Sequence, residues 1–174
     1  MPLKRVPAIV SPALLSVLAR AGHGDDLVIA DANFPAESVA RSCGAELVRA
    51  DGTDATSVLR AVLELVPLDT FAAAQAAVMR QVDQPDVDAD AVVDFVRVLS
   101  HAFRADGLSG DVAVDRLERF AFYERAKKAF AIVVTSEPRL YGNVIVKKGV
   151  VDADGTTKDA KRADAASPAK KART

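Results

Sequence analysis

Residues 22–35 read GHGDDLVIADANFP, and this stretch determines the fold class that the sequence predicts. Its centre, residues 27–30, is a short continuous apolar run of the kind that forms a buried strand. Glycines stand before the run, and an Asn-Phe-Pro segment follows it, so both flanks are typical of turns. The stretch therefore predicts one buried strand with His23 in the loop before it and Asp31 directly after it.

Helical and strand patterns alternate along the rest of residues 1–150. Ser11 and Pro12 suit the cap and the first position of a helix. The apolar spacing predicts helices over 12–20, 56–66, 89–103 and 114–130, and strands over 27–30, 46–50, 131–135 and 141–147. The range 114–130 carries the clearest amphipathic pattern, whereas 70–82 fits either a helix or a strand. This alternation predicts an α/β layered domain.

Charge divides the chain into a body and a tail. The 174 residues carry a net charge of −1, but residues 151–174 hold six basic and four acidic side chains, and residues 1–150 have a net charge of −3. The tail is too poor in large apolar residues to offset the entropy of ordering, so we expect a disordered charged extension over 151–174. It is either a solvated extension or a weak electrostatic contact for RNA, DNA or an acidic protein, and the first interpretation is favoured.

Several classes of protein are excluded by what the sequence lacks. No apolar run approaches the length of a membrane span, and the amino terminus lacks the apolar block of a secretory signal, so we expect a cytoplasmic protein. A single cysteine, Cys43, allows no internal disulfide, and two histidines with one cysteine form no plausible zinc site. Phosphate-binding, dinucleotide-binding and nucleophile-elbow motifs are absent. What remains is chemistry that uses proton transfer and hydrogen bonds without a cofactor.

His23 is the first candidate for proton transfer. Glycines on both sides leave its imidazole uncovered by neighbouring side chains, which suits a group that titrates near neutral pH. Asp31 is the second candidate, because reactive groups in α/β folds lie at strand ends. A surface histidine and an ordinary turn aspartate are the alternative interpretations. The two residues are eight apart, up to roughly 26–29 Å if extended, so they share a site only if the loop folds back or a second subunit contributes one of them.

Tyr141, Gly142 and Asn143 form a further candidate site. On a strand, Tyr141 and Asn143 would project from one face, and Gly142 would allow a close approach on the other. A phenol beside a carboxamide donates and accepts hydrogen bonds without charge, which suits a polyhydroxylated ligand. The alternative interpretation is an edge strand that begins with polar residues.

Arg119 and Tyr123 lie four residues apart and would share one face of a helix. Arg119 could bind an anion or a sugar hydroxyl. The alternative is an ordinary solvated face.

Three separated stretches carry a resemblance to a known family. They are GHGD with ADANFP at 22–25 and 30–35, RFAFYERA at 119–126, and LYGNVIVKKGV at 140–150. In this order they closely resemble the L-fucose mutarotase branch of the ribose pyranase/fucose mutarotase family, and 48–52 and 67–70 also resemble it. The resemblance covers residues 3–150.

The resemblance implies a fold and an activity. The fold is a three-layer α/β sandwich of the ribose pyranase type, with a central mostly parallel or mixed sheet over residues 1–150. The activity is that of an isomerase that interconverts the α and β anomers of a free monosaccharide, with L-fucose the expected sugar and no cofactor. Members of the family are homo-oligomers, often decameric rings, with sites at subunit interfaces, and this would resolve the distance between His23 and Asp31.

The resemblance also implies roles for individual residues. His23 matches the acid/base residue of the family, and no position matches a metal ligand. The substrate-binding positions fall on Asp31, Arg119, Tyr123, Tyr141, Gly142 and Asn143.

Two features depart from the family pattern. Glu37 stands where the fucose branch often has His, and residues 83–115 do not match. An alternative hypothesis is therefore a non-catalytic monosaccharide-binding or regulatory protein of the same fold. The tail suggests a third hypothesis, a salt-sensitive association with nucleic acid that is lost on truncation after Val150.

Overall fold

Helices and strands alternate through residues 3–159, the part of the chain that the computed structural model describes. Their bounds are α1 (Pro12–Arg20), β1 (Asp26–Ala30), α2 (Ala36–Cys43), β2 (Glu46–Ala50), α3 (Ala55–Leu63), β3 (Ala76–Met79), α4 (Asp90–Ala105), β4 (Val114–Leu117), α5 (Arg119–Ala126), β5 (Ala131–Thr135) and β6 (Val144–Lys147). The predicted cap of α1 is present, since the Ser11 side chain accepts from the Leu14 N–H at 3.1 Å, and Asp54 caps α3 by accepting from the Ser57 N–H at 2.8 Å.

The six strands form one mixed sheet in the order β2-β5-β1-β6-β3-β4. Pairing is parallel between β2 and β5, β5 and β1, and β3 and β4, whereas β6 runs antiparallel to both of its neighbours, β1 and β3. The register of the β1–β6 pair places Asp26 opposite Lys147 and Ile29 opposite Val144. This single reversed strand brings the amino end of β6 to the carboxyl end of β1.

Helices cover both faces of the sheet, so the expected three-layer sandwich with a mixed sheet is confirmed. Successive side chains of a strand point to opposite faces. Accordingly, Leu27 and Ile29 pack in the apolar layer that contains α1, α3 and α4, while Val28 and Ala30 pack in the layer that contains α2 and α5. All four are at most 1% exposed, which explains why β1 reads as an uninterrupted apolar run.

The predicted helix over 114–130 is wrong. The range contains strand β4, which pairs in parallel with β3, and then the separate helix α5. The break falls at Glu118, which has extended backbone and whose side chain caps the next helix by accepting from the Phe120 N–H at 2.8 Å. A pairing between β3 and β4 joins residues about forty positions apart in the chain, so local periodicity does not detect it.

Other boundaries also differ from the expectation. The ambiguous range 70–82 contains β3, and the predicted strand over 141–147 begins only at Val144. The helix α2 follows Pro35 without a side-chain cap and was not predicted. The remaining predicted helices and strands are present within one to three residues at each end.

The carboxyl-terminal segment is described up to residue 159. Val151 and Thr157 form an isolated bridge around a turn, and the Thr70 hydroxyl donates to the Lys158 carbonyl oxygen at 2.7 Å. The rest of the predicted tail, 160–174, lies outside the described residues. Among residues 3–159 no helix is long and apolar enough to cross a membrane.

A pair of phenylalanines two residues apart on α5 tests the new assignment of this helix. Phe122 is fully buried, whereas Phe120 is 62% exposed. Phe122→Ala should lower the free energy of unfolding by about 3–5 kcal/mol, because it leaves a cavity between α5 and the sheet. Phe120→Ala should change the same free energy by less than about 1 kcal/mol. Urea denaturation of both variants measures the difference, and equal losses would contradict the assigned orientation of α5.

Candidate active site

A buried pair of polar side chains lies where β1 ends and β6 begins. The Asn143 side-chain amide donates to Asp31 Oδ2 at 2.6 Å, and the Asp31 backbone N–H donates to Asn143 Oδ1 at 3.0 Å. Asp31 and Asn143 are 4% and 3% exposed. The two residues are 112 positions apart in the sequence, and the antiparallel β1–β6 pairing is what brings them together. Sequence reasoning named both residues, and the structure joins them.

Burial raises the pKa of Asp31 above its ordinary value, because the charged form loses hydration. Hydrogen bonds from the Asn33 backbone N–H, at 2.9 Å, and from Asn143 oppose this shift without cancelling it. The carboxylate is therefore held in place by donors but is poorly solvated. Such an acceptor gains from a further hydroxyl donor, which a polyhydroxylated ligand would supply.

Tyr141 precedes this pair in a strained turn rather than on a strand. Its φ of 60° lies in the left-handed region, which a tyrosine rarely adopts. The Asn143 N–H donates to the Tyr141 carbonyl oxygen at 2.8 Å, and the Tyr141 hydroxyl accepts from the Val82 N–H at 3.1 Å. The prediction that Tyr141 and Asn143 share a strand face is therefore wrong, although both lie at the same end of the sheet. The turn directs the phenol across the end of β3.

Gly142 is required by the close packing of this turn. A Cβ at this position would lie 2.7 Å from Glu137 Cγ, 3.0 Å from the Arg139 carbonyl oxygen and 3.3 Å from Asp31 Cβ. The first distance is shorter than a Cβ contact can be, so any larger residue must displace the turn or its neighbours.

Arg119 begins α5 at the same end of the sheet, and Tyr123 lies one turn further along the helix. Arg119 is exposed, and its guanidinium stacks on the Phe120 ring with 5.0 Å to the centroid. Tyr123 packs edge-on against Phe34 at 5.4 Å, and the Phe34 N–H donates to the Asp31 carbonyl oxygen at 3.3 Å. Phe34 therefore lies between Tyr123 and Asp31. Arg119 follows β4, which is three strand spacings from β1, so Arg119 is about 14 Å from Asp31.

His23 forms a second cluster, with Asp69 and Phe71. Its Nε2 lies 3.1 Å from Asp69 Oδ1, and its ring meets the Phe71 ring edge-on at 5.7 Å. Asp69 is buried, and its Oδ1 also accepts from the Phe71 N–H at 3.0 Å, whereas His23 itself is half exposed. A buried carboxylate that orients an accessible imidazole is the usual arrangement for a histidine that transfers protons.

The backbone that follows β6 holds both members of this pair. The Gly24 N–H donates to the Lys148 carbonyl oxygen at 2.8 Å, and the Asp69 N–H donates to the Lys147 carbonyl oxygen at 3.0 Å. Gly149 permits the crossing, because a Cβ there would lie 2.5 Å from the Leu68 carbonyl oxygen. The histidine loop and the aspartate loop are therefore fixed on either side of one strand extension.

Asp26 reinforces the same anchor. Its carboxylate binds the Lys147 ammonium at 2.8 Å and the Arg125 guanidinium at 2.9 Å. Burial alone would raise the pKa of Asp26, but the hydrogen bonds from Arg125 and Lys147 outweigh burial and lower it. The Lys147 ammonium also donates to the Gly24 carbonyl oxygen at 2.9 Å, which ties the histidine loop to the end of β6.

The two clusters lie at opposite ends of β1 within one chain. His23 stands before the strand and Asp31 after it, and the five residues of β1 alone separate them by about 13 Å. The bond from Gly24 to Lys148 shows that the histidine loop does not fold back toward Asp31. Of the two ways in which the sequence allowed His23 and Asp31 to share a site, the folded-back loop is excluded.

Sequence reasoning missed Asp69 as a site residue. It is separated from His23 by 46 positions, and its only signal was the similarity of residues 67–70 to the family pattern. Glu37, which stands where the family often has His, is exposed. It lines a cavity of about 290 Å³ near the carboxyl ends of β2 and β5, together with Arg49, Asp51 and Ser136.

The chain is similar to known proteins in both sequence and structure. The model of the family described as "RbsD / FucU transport protein family" matches residues 4–151. The chain is 49% identical over 150 residues to the fucose mutarotase of Mus musculus, covering 86% of this chain and 95% of the mouse protein. It is 47% identical over 152 residues to the fucose mutarotase of Homo sapiens, covering 86% and 94%. The crystal structure of the fucose mutarotase in complex with L-fucose from Streptococcus pneumoniae is similar with a TM-score of 0.73 and 38% identity, covering 86% of this chain and 100% of that one.

The packing around Gly142 generates a prediction about stability. Gly142→Ala should lower the free energy of unfolding by about 1–3 kcal/mol, because the new methyl group overpacks against Glu137. Gly22→Ala is the matched control, since its Cβ would meet nothing closer than Asp25 Oδ2 at 3.6 Å, and it should change stability by less than about 0.5 kcal/mol. Urea denaturation compares the two, and a tolerated Gly142→Ala would refute the close approach.

Proposed function

The chain belongs to the RbsD / FucU transport protein family, and we propose that it is a mutarotase that interconverts the α and β anomers of free L-fucose. The observation that carries the proposal is the accessible His23 imidazole oriented by the buried Asp69 carboxylate at 3.1 Å. The similarity to a fucose mutarotase solved with L-fucose supports the choice of sugar. The lone cysteine, Cys43, fits the cytoplasmic location that we propose with it.

Opening of the sugar ring needs two proton movements, and closure reverses both. A base takes the proton of the anomeric hydroxyl while the ring oxygen gains a proton, and the bond between the anomeric carbon and the ring oxygen breaks to give the open-chain aldehyde. Rotation about the bond next to the aldehyde and closure on its other face then give the second anomer. A positioned acid/base group contributes about 10²–10⁴-fold to such a step.

His23 is the acid/base group in this proposal. A carboxylate only accepts hydrogen bonds, so the ring nitrogen that faces Asp69 carries a proton. The other ring nitrogen is then free to accept the proton of the anomeric hydroxyl. Asp69 also stabilises the imidazolium that forms, which makes it a positioning partner of the base.

The carboxyl end of the sheet supplies the hydroxyl-binding groups. Asp31 accepts a hydrogen bond from a sugar hydroxyl. Asn143 is hydrogen-bonded to Asp31, and Tyr141 lies in the same turn as Asn143. Tyr123 is an assisting group beside Phe34, whereas Arg119, about 14 Å from Asp31 in the same chain, adds its cationic donor to the site of a neighbouring subunit. Gly142 contributes by letting the turn approach Asp31 closely.

We propose that a complete site uses two chains of a homo-oligomer, for which the family resemblance implies a decameric ring. In one chain, β1 separates His23 from Asp31 by about 13 Å, more than one monosaccharide ring bridges. A neighbouring subunit that presents its Asp31 end to the His23 cluster would complete the site. Phe71 packs against His23 and is 51% exposed in the single chain. Exposed apolar surface of this kind is typical of protein interfaces, which supports a subunit contact at the His23 cluster.

The two histidines provide a matched test of the acid/base role. His23→Gln should slow the enzyme-accelerated exchange of L-fucose anomers by about 10²–10⁴-fold, because glutamine cannot take up a proton. His101→Gln changes an exposed histidine on α4. It should leave the exchange rate within about twofold of the rate of the unmodified protein, because most surface substitutions have small effects. Saturation transfer between the anomeric proton signals measures both rates. Undiminished exchange in His23→Gln would refute the assignment.

The same measurement separates the mutarotase from a non-catalytic sugar-binding protein of the same fold. Glu37 favours this second candidate, because it lines the cavity near the carboxyl ends of β2 and β5 with a charge that the family pattern often lacks. Binding of L-fucose without faster exchange at substoichiometric protein would support it. A panel of free sugars that includes D-ribose then identifies the preferred sugar in either case.

Mixed assemblies test the two-chain site. Co-expressed chains with His23→Gln and with Asp31→Ala should recover about a quarter of the unmodified activity, because random pairing unites the intact halves in that share of interfaces. Assemblies of either variant alone should stay inactive. No recovery in mixed assemblies whose composition is verified by mass spectrometry would show that each site belongs to one chain.

A further inference from the structure

Glu137 is a buried carboxylate with no part in the mechanism above. It is 1% exposed and lies two residues after β5. Its Oε1 accepts from Arg139 Nε at 2.7 Å and its Oε2 accepts from Arg139 Nη2 at 2.8 Å, so the pair is bidentate. Hydrogen bonds from Arg139 hold the pKa of Glu137 below its ordinary value, and the group stays charged in spite of its burial.

Arg139 connects this carboxylate to the helices on one face of the sheet. Its Nη1 donates to Asp94 Oδ2 on α4 at 2.9 Å, and its Nη2 donates to the Thr56 hydroxyl on α3 at 3.1 Å. The segment between β5 and β6 is therefore fixed to two helices that take no part in sugar binding. We refer to Glu137 and Arg139 together as the clamp.

The clamp contacts the residues next to both members of the Asp31–Asn143 pair. The Ala32 N–H, directly after Asp31, donates to the Glu137 carbonyl oxygen at 3.0 Å. Glu137 Cγ lies 2.7 Å from the position that a Cβ on Gly142 would take, and Asp31 Cβ lies 3.3 Å from the same point. The side chain of Glu137 thus fills the space beneath the turn that carries Tyr141 and Asn143.

We propose that Glu137 is a positioning residue for sugar binding, which acts by holding the Tyr141–Asn143 turn against Asp31 and does not itself touch the sugar. The inference rests on the proposed function. Hydrogen bonds weaken steeply when their geometry is disturbed, so a small movement of Asn143 relative to Asp31 weakens hydroxyl recognition.

The clamp should affect binding rather than the chemical step. His23 and Asp69 are anchored on the Lys147 to Gly149 backbone, which makes no hydrogen bond to Glu137 or Arg139 in the described part of the chain. Loosening the clamp therefore disturbs the hydroxyl-binding end and leaves the proton-transfer end in place. An interaction lost equally from the bound sugar and the transition state raises KM and leaves kcat unchanged.

Glu137→Gln tests this separation, with Glu124→Gln as its matched control. Glu124 is an exposed glutamate on α5 that pairs with Lys127 at 2.6 Å. For L-fucose exchange, Glu137→Gln should raise KM about tenfold and change kcat less than about twofold. Glu124→Gln should change neither. An unchanged KM in a folded Glu137→Gln protein overturns the proposal. A roughly tenfold loss of kcat with an unchanged KM also overturns it.

A second variant covers the case in which Glu137→Gln does not fold because the part-exposed Arg139 guanidinium loses its bidentate carboxylate partner. The double variant Glu137→Gln/Arg139→Gln removes both charges, while Asp94 retains its pair with Arg97 at 2.7 Å. It should fold and show the same rise in KM. Arg139→Lys keeps one charge without the planar fork and should give an intermediate KM. A lowered melting temperature with an unchanged KM in these variants shows a merely structural ion pair and overturns the proposal.

Failure of the proposed function is recognised separately. Exchange by the unmodified protein is measured first, and absence of acceleration refutes the mutarotase whatever the variants do. The clamp is then judged by calorimetric titration with L-fucose. A roughly tenfold weaker Kd in Glu137→Gln than in Glu124→Gln supports positioning, whereas equal affinities, or no binding by the unmodified protein, overturn it.

Discussion

The antiparallel pairing of β6 with β1 is the interaction on which the site depends. Every strand pairing that does not involve β6 is parallel. The first residues of β6 lie beside the carboxyl end of β1, and its last residues lie beside the amino end of β1. Asn143 is thereby placed next to Asp31, and the Lys147 to Gly149 backbone next to the histidine loop. A parallel β6 would exchange these two ends, and neither the Asp31–Asn143 pair nor the anchored His23 would form.

Burial of polar groups at the carboxyl end is tolerated because each has a partner. The Asp31 carboxylate accepts hydrogen bonds from the Asn143 amide and the Asn33 N–H. The Glu137 carboxylate accepts hydrogen bonds from the Arg139 guanidinium. No buried side-chain nitrogen or oxygen atom in the described residues lacks a hydrogen-bond partner. Because unpaired buried groups are costly, this network also restricts the turn around Gly142 to one arrangement. The strained φ of Tyr141 is maintained by the same surroundings.

Much of the fold was predictable from local pattern, because β1 and β5 are buried on both faces and read as apolar runs. His23 and Asp31 were predictable for a related reason, as they flank such a run. The split of 114–130 into β4 and α5 was not, since pairing with the distant β3 overrode helical periodicity. Asp69 and Glu137 were not identified either. Their roles come from contacts across the fold, with His23 and with Gly142, which one-dimensional spacing does not encode.

Glu37 stands where the fucose branch often has His, and it lies at the carboxyl end of the sheet. Glu37 lines the cavity near the carboxyl ends of β2 and β5, and residues from 84 to 90 line another of about 430 Å³ beside Tyr141. The His23 end rests on different contacts, with Asp69 and the backbone after β6. Under the proposed mechanism, substitutions at the carboxyl end would alter hydroxyl recognition without moving the imidazole, because separate anchors hold the two ends. A fold of this kind can therefore change its preferred sugar while it keeps one mechanism of proton transfer.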